Sequence, residues 1–399
     1  MTDAILVLNA GSSSLKFALY PDEENTQTPI VRGKINGIGN SPVFVAQDAE
    51  GVLLPPEACM TLHASAGHDD LIPTLLDWLR TYQGGVTIKA AGHRVVHGGR
   101  DHIGPARVTD ALLAELETLV PLAPLHQPHN LTAIRCVEAA APGLPQIACF
   151  DTSFHRTQDR LAQLFALPRA MTDQGIIRYG FHGLSYEYIA GIMPLHLGDR
   201  ADERVIVAHL GNGASMCAMK TRRSVATSMG FTALDGLMMG RRSGALDPGV
   251  VLYLMDNMNM SNDEVAQVLY KESGLLGVSG ISNNMATLQA SAAPQAREAI
   301  DLFCYRAASE LAALAATIGG LDALVFTAGI GENSALVRSL ICDRLEWMGV
   351  DLAEGENDRN ATHINSAESG VDVLVIPTDE EAIIALSVVG ALRIKSGLN

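Results

Sequence analysis

The chain has 399 residues, 48% hydrophobic and 18% charged, which is apolar length enough for a globular protein of two or more domains. A formal net charge of −16 argues against a general nucleic-acid or anionic-membrane partner, so any anionic substrate must be met by a local cluster of cations. The six cysteines are scattered, with no Cys-x-x-Cys pair, as reduced core thiols are in a cytoplasmic protein, and Met1-Thr2-Asp3 before the first strand has no signal-peptide pattern.

In chain order, the apolar runs Ile5–Leu8 and Leu15–Tyr20 flank small polar residues and predict a β-hairpin. Its tip carries Asn9, Gly11 and the hydroxyls of Ser12, Ser13 and Ser14, with Lys16 just inside the second strand. Exposed backbone N–H groups and hydroxyls beside a lysine suit a phosphate chain. Pro21–Glu57 is polar and turn-rich and reads as a loop with further strands. The spacing of Leu71, Leu75, Leu76 and Leu79 predicts a helix over Asp69–Tyr82. Thr87–Val96 reads as a strand within Gly92-His93-Arg94-Val95-Val96-His97-Gly98-Gly99. Thr109–Leu119 is a helix with Thr109 as its cap, and the three prolines of Pro121–Pro128 predict irregular chain. A helix over Asn130–Ala141 follows, then a strand over Gln146–Phe150 that ends in Asp151-Thr152-Ser153-Phe154-His155.

Val205–Lys220 repeats the hairpin pattern: Gly11 falls on Gly211, and Ser12 and Ser13 fall on Asn212 and Gly213. Ala323–Asn333 again runs an apolar strand into a Gly-rich turn and reads as a third copy of the first half of that motif. An offset of half the chain predicts duplication into two similar domains, 1–150 with a C-terminal helix about 382–399, and 151–381. Helices are expected over Asp247–Asp256, Ser261–Ser273 and Pro294–Ile318. The most apolar run, Leu311–Ile330, contains Gly319, Gly320 and Asp322, so it reads as helix, turn and strand and not as a membrane span. The strand Asp372–Ile376 leads to Pro377-Thr378-Asp379-Glu380-Glu381 and a final helix, Ala382–Ile394, placed to return to the first domain. Strands alternating with helices make this an α/β protein.

The sequence has no Walker A pattern, no Gly-x-Gly-x-x-Gly, no His-Glu-x-x-His and no zinc-ligand spacing. Functional side chains instead gather at strand ends and glycine turns: Arg94, Asp151, His182 within Tyr179–Gly183, and Arg242 within Gly240–Gly244. Each has an ordinary structural reading, as ion-pair partner, helix cap, turn histidine or solvated arginine. Beside two phosphate-type hairpins they form a phosphoryl-transfer inventory of backbone cradles, arginines, an imidazole and carboxylates for Mg²⁺.

The motifs Asn9–Lys16, Gly92–Gly99, Phe150–His155, Tyr179–Gly183, His209–Gly213, Gly329–Asn333 and Pro377–Glu381 resemble, in order, those of the acetate/propionate kinase family. The resemblance runs from residue 5 to about 385. It implies the duplicated actin-like ATPase fold of sugar kinases and Hsp70, with ribonuclease H-like domains about a nucleotide cleft, and a homodimer. It further implies a reversible, Mg²⁺-dependent and in-line transfer from ATP to acetate or another short carboxylate, with Mn²⁺ able to substitute. Arg94 and Arg242 would clamp the carboxylate and the phosphoryl group, and His182 would donate to a phosphoryl oxygen. Val96, Leu125 and Phe181 would line the acyl pocket. Ser12, Ser14, Lys16, His209, Leu210, Gly211, Asn212, Gly213, Asn284, Met285, Ala286, Gly329, Ile330, Gly331, Glu332 and Asn333 match nucleotide positions, and Asn9 and Glu380 match those of Mg²⁺. The family gives Asp151 an acid/base role. Acetate, with a pKa of about 4, is already ionised, so orienting Arg94 or a metal-bound water suits Asp151 better.

Three stretches depart from the family's pattern. Arg241-Arg242-Ser243-Gly244-Ala245 gains a cation and loses a carboxylate, Ala233 and Asp235 stand for Pro and Glu, and Asn283-Asn284-Met285-Ala286 lacks an acid and an arginine. Two other readings stay open: a kinase using another donor such as pyrophosphate, and a nucleotide-dependent switch without catalysis.

Overall fold

The structure is a computed structural model that describes residues 2–23, 28–82 and 85–396. Residue 1, positions 24–27 of the expected loop over Pro21–Glu57, and the last three residues of the expected domain extension 382–399 lie outside the described residues. The chain divides into two compact units, Met1–Phe154 with Asp379–Asn399, and His155–Thr378.

The first unit is built on β1 (Thr2–Ala10), β2 (Ser14–Pro21), β3 (Val31–Asn36), β4 (Val43–Asp48), β5 (Val86–Val95), β6 (Ala106–Arg107) and β7 (Gln146–Phe150), in the order β4-β3-β2-β1-β5-β7-β6. β1 and β2 form the predicted hairpin, while β5 lies parallel to β1 and β7 parallel to β5. Ala4–Ala10 is buried without a break, as a central strand covered on both faces must be. Even-numbered residues of β1 join Leu71, Leu75 and Leu79 of helix His68–Thr81, and Val137 of helix Gln127–Ala140, in one core. The other face is covered by the helix Glu380–Ser396. A Cβ on Gly92 would stand 2.5 Å from Ile384 and 2.6 Å from Val388 of that helix, so the close approach requires glycine there. Asp379 accepts from the Ala382 N–H at 3.0 Å, which starts the helix at Glu380, two residues before its expected beginning.

The second unit carries β8 (Val205–Leu210), β9 (Ala214–Lys220), β10 (Arg223–Thr227), β11 (Ala323–Thr327) and β12 (Asp372–Val375), in the order β10-β9-β8-β11-β12. An antiparallel hairpin with a third antiparallel strand on one side and two parallel strands on the other repeats β3-β2-β1-β5-β7 strand for strand. The fold is therefore the duplicated α/β arrangement of actin-like ATPases. Helix Pro294–Ile318 packs on β8, β9 and β10, and Gly319 ends it in the left-handed conformation. No helix among the described residues is long and apolar enough to cross a membrane.

Four local expectations are corrected. Ala323–Asn333 is not another hairpin half: β11 runs parallel to β8, in the place β5 holds beside β1, and its Gly-rich turn is the short helix Ala328–Asn333. The second hairpin is one residue tighter than the first, closed by Gly211 N–H to Gly213 O at 3.1 Å where Gly11 reaches Ser14 O at 2.8 Å. Pro128 lies in the first turn of helix Gln127–Ala140, where no N–H is needed, so chain expected to be irregular is partly helical. Ser261–Ser273 breaks into helix Asn262–Gln267 and a π turn, Val268–Glu272.

Candidate active site

In the first unit, alternation along the strands decides which side chains meet. Asn9 on β1 lies opposite Lys16 on β2, and Leu8 is in register with His93 on β5, so Asn9 and Arg94 emerge beside each other on the face covered by the C-terminal helix. Asp151, directly after β7, accepts from Arg94 Nε at 3.1 and 3.2 Å and from Nη2 at 2.5 Å. The Asp151 side chain is 1% exposed and that of Arg94 17%, so the fork is held from behind. Arg94 Nη1 donates to Asn9 Oδ1 at 3.3 Å, and Glu380 Oε2 is 3.9 Å from Nε. Burial alone would lower the basicity of Arg94, but Asp151 and then Glu380 more than offset it, and its charge is fixed.

Asn130, which sequence reasoning passed over, joins the two strand ends. Its Oδ1 accepts from Val96 N–H at 3.0 Å and its Nδ2 donates to Ala10 O at 2.8 Å. Val96 is buried and Leu125 half-buried in this unit, whereas Phe181 belongs to the other. Ser12 and Lys16 are exposed at the hairpin and Ser14 is half-buried.

In the second unit, His182 caps the helix Gly183–Leu197 with a left-handed backbone, φ 59° and ψ 24°, unusual for a non-glycine residue. The segment before it is tightly packed. Gly180 has φ +75°, and a Cβ there would meet the His155 ring at 2.5 Å. His155 Nε2 is 2.9 Å from Phe181 O, and because a carbonyl only accepts, Nε2 carries the proton and Nδ1 accepts from Ser224 Oγ at 2.9 Å. Burial pushes His155 down to about 4, which keeps that ring neutral. Local strain held by a rigid surround is a mark of functional sites.

The His182 ring stacks on His209 at 4.2 Å, with Nδ1 against Ser215 Oγ at 2.8 Å, which in turn meets the Tyr186 hydroxyl at 2.5 Å. His209 Nδ1 is held by Ser185 Oγ at 2.8 Å. The other edge of His182 faces the hairpin tip: a Cβ on Gly213 would lie 3.4 Å from His182 Nε2 and 2.8 Å from Arg242 Nη2. The tip, the imidazole and the guanidinium thus surround one small space that only glycine keeps open. Arg242 Nη1 donates to Ala233 O at 2.6 Å, and Asp235 pairs with Arg178 at 3.2 Å. Leu210 is buried at the end of β8. Asn212 Oδ1 accepts from Asn283 Nδ2 at 3.0 Å. Asn284 caps helix Met285–Gln289 through Thr287 N–H at 3.0 Å, so its carbonyl is engaged in capping; Met285 is buried and Ala286 exposed.

Residues 329–333 form the helix after β11, in which Asn333 Nδ2 donates to Gly329 O at 2.9 Å and Glu332 Oε1 accepts from Thr378 N–H at 3.2 Å. Beneath them lies Arg338, fully buried. It donates to Gly331 O at 2.8 Å, Glu332 O at 3.1 Å, Asn357 Oδ1 and O at 2.7 Å each, and Asn360 Oδ1 at 2.6 Å. It makes no ion pair with a carboxylate among the described residues, and burial pulls it down to about 10. The sequence signal for it is a lone charged residue in the largely apolar Ala-Leu-Val-Arg-Ser-Leu-Ile-Cys run.

The structure therefore brings together Asn9, Arg94, Asp151 and Glu380 in one unit, and His182, His209, Gly213 and Arg242 in the other. No group of three or more His, Cys, Asp or Glu side chains suited to a metal ion occurs among the described residues.

Residues 4–386 match the model of the acetokinase family. The acetate kinase of Rhodopseudomonas palustris strain CGA009 is 52% identical over 390 residues, covering 96% of this chain and 97% of that protein. Among solved structures, a propionate kinase from Francisella tularensis superposes with a TM-score of 0.89 at 37% identity, covering 96% of this chain and 98% of that one. The acetate kinase of Porphyromonas gingivalis superposes with a TM-score of 0.85 at 35% identity, covering 98% and 100%.

Proposed function

The chain belongs to the acetokinase family, and from this premise we propose that it transfers the γ-phosphoryl group of ATP reversibly to acetate, giving acetyl phosphate and ADP, with propionate as a second acceptor. It is a phosphotransferase whose acceptor is a carboxyl group. The observation that carries the residue assignments is the held fork of Arg94, its Nε and Nη2 fixed by Asp151. A pre-oriented guanidinium suits a carboxylate or a phosphoryl group whose charge grows during transfer. Asp151 is given the orienting role, because an ionised acceptor needs no base. Arg242 and His182 serve the phosphoryl oxygens, and residues 211–213 and 329–333 serve the nucleotide.

Asn9 and Glu380 offer hard oxygen donors on one face, and Mg²⁺ ordinarily takes one or two protein ligands together with substrate phosphates, so these residues fit the ion. When bound, Mg²⁺ or Mn²⁺ would neutralise phosphate charge. The Ala233 position, Pro in the family's usual pattern, leaves the Arg242 support to a backbone carbonyl and a smaller side chain, which favours a looser choice of acid. Six free cysteines, five of them buried, support a cytoplasmic location. A homodimer is supported by helix Pro248–Asp256, which buries none of its residues and exposes Val250, Leu252, Tyr253 and Met255.

The test is trapping of acyl phosphate as hydroxamate, with ATP or pyrophosphate as donor and acetate or propionate as acceptor. Product is expected with Mg-ATP and not with pyrophosphate, with kcat/KM for propionate within about tenfold of acetate, a difference below 1.4 kcal/mol. Product from pyrophosphate alone would move the donor assignment, and no product from either donor would leave only a nucleotide switch.

A further inference from the structure

Helix Gly183–Leu197 puts Tyr186 one turn beyond His182 and on the same side of the helix, with Tyr186 N–H donating to His182 O at 3.1 Å. The register of the second hairpin places Ser215 of β9 opposite His209 of β8, whose ring stacks on His182. Ser215 thereby stands between the two helix residues, its Oγ 2.5 Å from the Tyr186 hydroxyl and 2.8 Å from His182 Nδ1. Tyr186 and Ser215 are both fully buried. A phenylalanine and an alanine would pack there with no hydroxyl to desolvate, so stability alone does not call for this pair.

Acidity sets the direction of the row. A phenol, with a pKa of about 10, is a stronger acid than an aliphatic alcohol and the better donor, while the imidazole lone pair is the best base of the three. Tyr186 therefore donates to Ser215, and Ser215 donates to His182 Nδ1. A neutral ring that accepts at Nδ1 carries its hydrogen on Nε2. Nε2 is the nitrogen turned to the hairpin tip, 3.4 Å from where a Cβ on Gly213 would stand, with Arg242 Nη2 at the border of the same space. Phosphoryl oxygens accept and do not donate, so the opposite tautomer would turn a lone pair towards them.

We propose that Ser215 and Tyr186 are positioning residues for phosphoryl transfer: they hold His182 as the neutral Nε2–H tautomer and aim that hydrogen at the phosphoryl oxygens. The inference rests on the phosphoryl role given to His182 above and adds the two residues that make the imidazole a donor. Both act through the ring.

Two measurements on the full chain test this. Long-range proton–nitrogen NMR of protein labelled at the histidine nitrogens, with His182 identified by its loss in His182→Gln, reads the tautomer without turnover. The hydrogen is expected on Nε2 in the parent, and on both nitrogens by turns in Ser215→Ala and Tyr186→Phe, where the row has lost its direction. The second measurement is a double-mutant cycle on kcat with Mg-ATP and acetate. His182→Gln should lower kcat about a hundredfold, and Ser215→Ala about tenfold with both KM values within about threefold of the parent. In the His182→Gln chain, Ser215→Ala should cost nothing further. A hydrogen on Nδ1 in the parent, or parental kcat in Ser215→Ala, would overturn the proposal. So would an equal loss in both backgrounds, which would make Ser215 a residue of the fold only. Parental kcat in His182→Gln would instead remove the phosphoryl role of His182, and the proposal with it.

Discussion

Asp151 and Gly213 each lie against an arginine. Asp151 is almost fully buried and both of its oxygens accept from Arg94, the contacts on which the proposed orienting role rests. Asp151→Asn keeps the shape and removes the charge. We expect kcat to fall about a hundredfold or more, the scale of one misplaced transition-state donor at roughly 3 kcal/mol. The pH profile of the residual activity should keep its shape, and loss of a basic limb in the variant would instead make Asp151 a proton acceptor. Gly213→Ala would place a methyl 2.8 Å from Arg242 Nη2. The guanidinium must then swing, so kcat is expected to drop at least tenfold with little change in melting temperature. Steady-state kinetics beside a thermal melt checks this, and an active Gly213→Ala chain would show that the space is not used.

Among elements, the helix Ala328–Asn333 is held by a side chain of the helix that follows it, Arg338. Six residues cannot hold a helix by themselves, and Arg338 fixes two of its carbonyls while reaching Asn357 and Asn360 on the other side. Arg338→Met keeps much of the volume but leaves those acceptors buried without donors, at a cost of about 3 kcal/mol. The melting temperature should fall by roughly 10 °C, and KM for ATP should rise more than KM for acetate. A variant that melts within 2 °C of the parent would show that the network is replaceable.

For the molecule as a whole, each unit buries a neutral histidine at its sheet. His93, against Gln146 at 2.7 Å, and His155 are both pushed by burial down to about 4. The unfolded chain takes up these protons near pH 6.5 and the folded chain only near 4. The stability is therefore present in full above about 6.5 and is lost as pH falls between those values. The sum is about 3 kcal/mol for each histidine by pH 4. Urea midpoints should be flat from pH 8 to 7 and decline between 6.5 and 5; a flat profile through pH 5 would refute it. Helix Pro248–Asp256 gives a second expectation at this scale. Leu252→Asp with Tyr253→Asp should turn a dimer into a monomer by light scattering without lowering secondary structure, and a wild-type monomer would rule out the homodimer.

By itself the sequence determined the hairpins, the duplication and the type of chemistry, because these rest on local signals: short continuous apolar runs, glycine tips and short polar motifs repeated at a fixed offset. It misread Ala323–Asn333, since a strand entering a glycine-rich segment has the same local pattern whether the chain reverses or turns into a helix, and only pairing parallel to β8 decides between them. The orientation of Arg94 by Asp151, the support of Phe181 by His155 and the seating of Arg338 join residues 57, 26 and 19 positions apart. No local preference encodes such contacts. The first arises because parallel strands β5 and β7 bring distant ends to one edge, and the other two where a loop or a helix packs against a distant turn or helix, so the tertiary structure alone decided which of these side chains meet.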